Sequence, residues 1–390
     1  MSSNFRILHC LRAPDGGLFR HVHDLALGQV EMGAEVGIVC DSALSGRELD
    51  VALSRLADNC ALGVTRIPMA QKAGLTDWHV YRKIAKLGRK LDVDVLHGHG
   101  VKGGVYARLA GRKLRKKKGT KVVYTPHGDM LYSASTLSAK TYHALERKLA
   151  PMTDGMIFES LYAGNQYVEL VGQPACAVRV IHNGLHRHEF YESMLADDAA
   201  DFVFIGRLVK RKGVDVFLEA LAAHQTIFPG RAIIVGSGTD EKYLKRRARK
   251  LGLTSRVAFS GPQPARTAFS RARCVVVPTL ADSLPYIVLE AAAAQMPMIA
   301  TNTGGIPEIV GDIPMPLIPP GDVDALASQL RAFLADPQPF LRRAAELQRR
   351  IAQQFTVEAM TRDVVDFYIS GLGAGIHKLP GLGAEPASVS

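Results

Sequence analysis

A chain of 390 residues exceeds the usual size of one domain, so length favours two domains, each large enough to bury a core of its own. Although 47% of the residues are hydrophobic, no apolar run approaches the ~20 residues of a membrane span, which excludes an integral helical membrane protein and leaves a soluble chain or one held to a membrane from outside. The formal net charge of +11 is unevenly spread, with 26 Lys+Arg against 17 Asp+Glu in residues 1–190 and 22 against 20 in the remainder. The first apolar run, Phe5-Arg-Ile-Leu-His-Cys-Leu11, reads as a strand; it is too short, and too soon followed by Arg12 and Asp15, to be a secretory signal. A helical period follows over Leu18–Met32, then strands over Val36–Cys40, Val93–Leu96, Lys121–Tyr124 and Gly155–Phe158, with a helix at Ala139–Leu149 before the last of them. This alternation predicts one doubly wound α/β domain.

The basic excess of that domain concentrates between Lys72 and Lys121 and ends in Gly111-Arg-Lys-Leu-Arg-Lys-Lys-Lys-Gly-Thr-Lys121. Such a surface prefers a polyanion: anionic lipid head groups, a pyrophosphate-linked lipid or nucleic acid. Within it, Gly104–Lys118 reads as a helix with Val105, Leu109 and Leu114 toward one side and cations elsewhere, either a core helix with a solvated basic end or an interfacial patch. Glu192–Asp201 is polar, rich in small residues and without apolar period, and the domain boundary is expected there. A second series of strands follows at Phe202–Ile205, Ala232–Val235, Val257–Phe259, Cys274–Val277 and Met298–Ala300. Phe355–Ile369 has helical spacing, and from Gly371 onward Gly, Pro, Ala and Ser dominate, so a disordered tail is expected over 371–390. The five cysteines are odd in number and form no Cys-x-x-Cys pair; neither a disulfide framework nor a zinc site is expected, and a reducing cytoplasm fits.

Several strand ends carry chemistry. In Arg12-Ala-Pro-Asp-Gly-Gly-Leu-Phe-Arg-His-Val22, Gly16 and Gly17 lack Cβ atoms, so backbone can approach a diphosphate at a helix N-terminus, or simply turn from strand to helix. Leu96-His-Gly-His-Gly100 offers His97 and His99 as candidates for the acceptor or the cleft wall, with no clustered carboxylate or cysteine to complete a metal site. Tyr124-Thr-Pro-His-Gly-Asp129 puts His127 just past a strand, where ligands of open α/β sheets gather. Ile205-Gly-Arg-Leu-Val-Lys-Arg-Lys-Gly-Val214 brings Arg207 and Lys212 to one helix entry, where two cations can neutralise a diphosphate, while Lys210 and Arg211 are expected to face solvent. Val235-Gly-Ser-Gly-Thr239 is a weak nucleotide signal that singles out Gly236. Finally, Pro278-Thr-Leu-Ala-Asp-Ser-Leu-Pro-Tyr-Ile-Val-Leu-Glu290 leaves a buried strand through a loop with Asp282 and enters a helix with Glu290. The helix end favours phosphate, and the two carboxylates, repelled by it, are assigned to hydroxyls of a ribose and a sugar.

That last segment resembles the donor-site signature of glycosyltransferase family 4, in which two glutamates stand seven residues apart; here Asp282 replaces the first, and Ser-Leu-Pro-Tyr replaces its Gly-Phe-Gly turn. The resemblance spans most of residues 5–370 and includes the Gly16-Gly17 loop, the Thr-x-His of His127, the Gly-Arg-Leu…Lys-Gly order, the Val-Gly-x-Gly of Gly236, and Ile181-His-Asn-Gly-Leu185, where Asn183 would organise a hinge turn. It implies the GT-B fold: two Rossmann-like doubly wound domains facing across a cleft, over 1–190 for the acceptor and 191–354 for the donor, with a helix over 355–370 returning to the first. It implies a retaining transfer from a nucleoside-diphosphate sugar, without a cofactor or bound metal. Arg207 and Lys212 would stabilise the departing diphosphate, Glu290 hold the ribose, and Asp282 and His127 position the sugar, with Gly16, Gly17 and Gly236 lining the donor and a backbone group of Val257–Gly261 reading the base. The expected partners are the nucleotide sugar, a glycan or lipid-linked acceptor such as a polysaccharide or lipopolysaccharide intermediate, and an anionic membrane surface on the cytoplasmic side of the inner membrane, with no nucleic acid. A GT-B sugar-nucleotide epimerase and a non-catalytic nucleotide-binding membrane adaptor are the alternatives.

Overall fold

Most strands of this chain are apolar on both faces, the pattern of parallel sheets covered by helices on each side. The computed structural model describes residues 5–72, 74–128, 137–223 and 230–372, so residues 373–390 of the expected tail lie outside them. Two compact units emerge, one from residues up to Gly184 together with those from Val357 on, the other from Leu185–Thr356.

The first unit holds β1 (Arg6–Leu11), β2 (Glu35–Asp41), β3 (Gly63–Ile67), β4 (Val95–His99), β5 (Lys121–Thr125), β6 (Gly155–Phe158) and β7 (Ala177–Val180), paired in the order β3-β2-β1-β4-β5-β6-β7, with every pairing parallel. The second holds β8 (Ala200–Ile205), β9 (Ala232–Val235), β10 (Val257–Gly261), β11 (Ala272–Val277) and β12 (Met298–Ala300), in the parallel order β10-β9-β8-β11-β12. β4 begins two residues later than expected and runs through His97 to His99, so both histidines are strand residues. β3 and β7 carry Arg66 and Arg179 within short runs, which hides them from an apolar pattern.

The units divide at Gly184/Leu185, ahead of the expected 190/191, and the stretch Glu192–Asp201 is not a linker. Its backbone is tied into the second unit: the N–H groups of Tyr191, Ser193 and Ala196 donate to the carbonyls of Ala293 (3.1 Å), Ala294 (3.1 Å) and Ser270 (2.8 Å). A polar composition shows which side chains face water and does not reveal where the backbone groups find partners. The helix Val357–Asp366 buries Val357, Met360, Val364 and Val365 within the first unit, against the helix Gly16–Glu31, and a π-helical turn over Phe367–Gly371 adds Phe367 and Tyr368 to the same core.

The helix Gly100–Lys118 corrects a further expectation. Its buried side is Tyr106, Ala107, Ala110 and Leu114, while Val105 and Leu109 are half-buried. One of its cations, Arg108, is fully buried: the guanidinium makes a bidentate pair with Glu146 (2.7 Å for each bond), donates from Nε to Gly104 O (3.0 Å) and lies 4.1 Å over the ring of Tyr124. Both side chains of the pair are 0% exposed, so either charge alone would sit uncompensated in a poorly polarisable interior. Glu146→Gln is therefore expected to lower stability by roughly 3–5 kcal/mol, whereas Arg108→Met combined with Glu146→Leu recovers most of the loss. Urea unfolding checks both; a shift no larger than that from breaking the exposed Lys245–Glu241 pair would contradict the account.

Candidate functional site

Where the strand order of a doubly wound sheet reverses, the loops leaving adjacent strands diverge and open room at the strands' C-terminal ends. In the second unit the reversal lies between β8 and β11. The loop after β8 carries Arg207, which is exposed, and then a 3-10 turn over Lys210–Lys212; the loop after β11 carries Asp282. The loops are laced together, since Leu280 N–H (2.7 Å) and the Thr279 hydroxyl (3.1 Å) both donate to Arg211 O. Lys212 Nζ is paired directly with Asp282 Oδ2, and Arg211 Nη1 donates to Ala281 O (3.3 Å) and lies 3.5 Å from Asp282 Oδ1. Arg211 is thus partly buried and engaged, contrary to the expectation that it faces solvent, while Lys210 is exposed. Lys212 and Asp282, expected to meet different parts of a substrate, pair with each other. This keeps Asp282, only 9% exposed, from being a buried unpaired charge.

Glu290 lies partly buried in the helix Tyr286–Ala293, which begins with no side-chain cap and no acidic residue in its first turn, an end whose field favours an anion. Gly236 follows β9 at φ +134, and a Cβ placed there would lie 1.9 Å from Gly206 O. The close approach of the β8 and β9 loops therefore requires glycine at this position.

In the first unit the reversal lies between β1 and β4. Gly16 and Gly17 open the helix Gly16–Glu31 after β1; that helix end likewise has no side-chain cap and no acid in its first turn, and a Cβ on Gly16 (φ +58) would meet nothing within 4 Å. Beside this open helix end the parallel register sets His9 opposite His97, and His99 opposite Leu11 and Thr125. With side chains alternating along a strand, His97 and His99 share a face. His127 follows β5 at φ +55, a conformation rare for a residue with a side chain and one that marks clamps and active sites.

Five histidines therefore meet: His9, His21, His97, His99 and His127. His9 Nε2 pairs with Gln29 Oε1 (2.8 Å), His9 Nδ1 with His99 Nε2 (2.9 Å), His99 Nδ1 with His127 Nε2 (3.1 Å), and His127 Nδ1 with Glu159 Oε1 (2.8 Å). His97 is held on both sides, by the Tyr368 hydroxyl (2.6 Å) and by Thr125 Oγ1 (2.8 Å). His21 Nδ1 pairs with Asn183 Oδ1 (2.9 Å), so Asn183 orients a side chain of the first unit. Around His97 and His99 the neighbours are other histidines: ring nitrogens of His9, His97 and His99, and of His21, His99 and His127, lie within 4.8 Å of one another. The partners are histidines distant in sequence, with no carboxylate or cysteine among them. Burial holds His9 and His21 at about 4 and keeps His97 and His99 well below the ordinary histidine value.

Residues 15–189 match the family model described as Glycosyltransferase Family 4, and residues 188–354 match that of Glycosyl transferases group 1. The glycogen synthase of Mycobacterium tuberculosis is 27% identical over 381 residues, covering 91% of each chain, and the putative glycosyltransferase EpsD of Bacillus subtilis is 28% identical over 308 residues, covering 74% of this chain and 80% of its own. Among solved structures, Anabaena HepE in complex with UDP and glucose superposes with a TM-score of 0.77 at 20% identity, over 93% of this chain and 98% of that one, which identifies the fold as GT-B. Among the described residues no helix is long and apolar enough to cross a membrane.

The buried histidines make stability depend on acid in a defined window. Burial, opposed by the Gln29 hydrogen bond, holds His9 at about 4, and burial with repulsion from His127 holds His21 at about 4; an unfolded histidine takes its proton near 6.5. Between these values the unfolded chain binds more protons than the folded one, so stability falls as pH falls from about 6.5 to about 4. Urea midpoints measured in chelator-containing buffer are expected to drop across that window, and His9→Gln to flatten the slope.

Proposed function

The chain belongs to glycosyltransferase family 4, with residues 15–189 matching that family's model and residues 188–354 that of Glycosyl transferases group 1, and on that footing we propose that it transfers a glycosyl group, with retention, from a nucleoside-diphosphate sugar to an acceptor hydroxyl. The observation that carries this reading is the gathering of Arg207, Lys212, Asp282 and Glu290 on the loops and helix that follow β8 and β11. Cations with an uncapped helix end suit a leaving diphosphate, because they favour negative charge as it develops on the breaking phosphate–sugar bond. As the anomeric carbon's bond to phosphate oxygen breaks and its bond to the acceptor oxygen forms, that phosphate oxygen takes the acceptor's proton. Glu290 is assigned to the ribose, and Asp282 and His127 to hydroxyls of the sugar. The electrostatic help at the diphosphate comes from Arg207, Lys212 and the helix end, with no resident metal assigned there.

HepE was solved with UDP and glucose, which supports UDP-glucose as the first donor to test. For the acceptor, the support is charge. The helices Thr76–Lys90 and Gly100–Lys118 pack together and expose Arg82, Lys83, Lys86, Arg89, Arg112 and Lys113, a surface suited to anionic lipid at the cytoplasmic face of a membrane or to a pyrophosphate-linked acceptor. Lys102 and Lys118 contribute less, since Asp77 holds the first (2.8 Å) and Asp92 (2.9 Å) with Asp94 (3.2 Å) holds the second.

Incubation with UDP-, GDP- and ADP-glucose, with products followed by NMR, tests the reaction and its stereochemistry; sugar-nucleotide turnover that stays acceptor-independent and yields an isomer would instead assign an epimerase. Arg207→Ala and Lys212→Ala are each expected to lose on the order of 2–4 kcal/mol of transition-state stabilisation in kcat/KM. Asp282→Asn removes the partner that occupies Lys212, so UDP should bind at least as tightly while turnover collapses; Glu290→Gln should weaken UDP itself. Calorimetry on both variants checks the division, and equal losses of UDP affinity would overturn it.

A further inference from the structure

The proposed transfer uses one histidine of the five and leaves a buried donor set unexplained. Among the described residues, His21 Nε2 is buried and has no hydrogen-bond partner, an uncommon state for a side-chain nitrogen and one that calls for an ion or water. It belongs to a grouping in which one ring nitrogen from each of His21, His99 and His127 lies within 4.8 Å of the others, and His99 Nδ1 and His127 Nε2 are already 3.1 Å apart. A tetrahedral ion with metal–nitrogen bonds of about 2.0–2.1 Å holds its ligand nitrogens about 3.3 Å apart, so the two rings need to separate by only tenths of an ångström.

The rear of each ring is braced. His21 Nδ1 rests on Asn183 Oδ1 (2.9 Å), His127 Nδ1 on Glu159 Oε1 (2.8 Å), and His99 Nε2 on His9 Nδ1 (2.9 Å). Bracing of the second ring nitrogen by an oxygen or imidazole acceptor is what fixes the tautomer and orientation of metal-binding histidines. The neighbouring trio His9, His97 and His99 lacks this opening, because Tyr368 and Thr125 occupy both nitrogens of His97, and Gln29 and His99 both nitrogens of His9.

We propose that His21, His99 and His127 form a site for one divalent transition-metal ion of the zinc type, and that occupation inhibits transfer by withdrawing His127 from the sugar. All-imidazole ligation suits Zn2+, Co2+, Ni2+ and Cu2+ and disfavours Mg2+ and Ca2+, which take oxygen ligands. Three protein ligands leave a fourth position for water. The inhibitory half rests on the role given to His127 under the proposed function; the site itself does not.

The test titrates Co2+ and Zn2+ into the chelator-stripped full chain, with the visible bands of tetrahedral Co2+ and calorimetry as readouts that need no substrate. One equivalent is expected to bind. His21→Ala should weaken binding at least tenfold, and the exposed His79→Ala should leave it unchanged. Asn183→Asp retains the shape but offers His21 a carboxylate brace, and should tighten Zn2+ binding several-fold, a gain that a purely structural asparagine would not give. In transfer assays Zn2+ should inhibit the unsubstituted chain and not His21→Ala. No saturable Co2+ or Zn2+ binding, or equal affinity in the unsubstituted chain and His21→Ala, overturns the site. Binding without inhibition overturns only the role of His127.

Discussion

Parallel pairing of β1 with β4 and of β4 with β5 is the constraint on which the first unit's chemistry rests. In a sheet whose side chains alternate with a period of two, a slip of one residue would send His97 and His99 to the opposite face and Leu96 and Gly98 into their place. The observed register instead aligns His9 with His97 and carries the row outward to His99. Thr125 meets this row from within the sheet, and the other partners come from elements packed on the sheet or leaving its strands: His21 and Gln29 from the helix after β1, His127, itself braced by Glu159, from the end of β5, and Tyr368 from the C-terminal segment. Because both nitrogens of an imidazole can be engaged, the rings act as struts whose tautomers fix one another.

The second unit solves a related problem with charge. Lys210, Arg211 and Lys212 are crowded on one short turn, where like charges repel one another. Pairing Lys212, and at longer range Arg211, with Asp282 offsets that repulsion and spares the carboxylate from desolvation without a counter-charge.

Local pattern revealed much of this. Apolar runs such as Ala232–Val235 and Cys274–Val277 are strands because buried parallel strands have no polar face, and the motifs around Arg207, Asp282 and Glu290 stand where their strands end. What the sequence withheld depends on distant pairing. His9 and His97 are 88 residues apart and His21 and Asn183 are 162 apart; nothing in either neighbourhood states that they will touch. Arg108 reads as one more cation of a basic helix until Glu146 is brought beneath it. The strands β3 and β7 escaped notice because the pattern rule presumes continuous burial, whereas these two short runs are only partly buried and each carries an arginine.

The first unit is closed by residues 357–372, after the whole of the second has intervened in the chain. A ribosome releases β1 to β7 long before it reaches Val357, Met360, Val364 and Phe367, so the nascent sheet waits with one side of its core uncovered and His97 without the Tyr368 hydroxyl. The second unit is contiguous and can finish folding first, reversing the usual order in which the amino-terminal domain matures ahead of its successor. The histidine centre is thus completed only after the whole of the second unit has been synthesised.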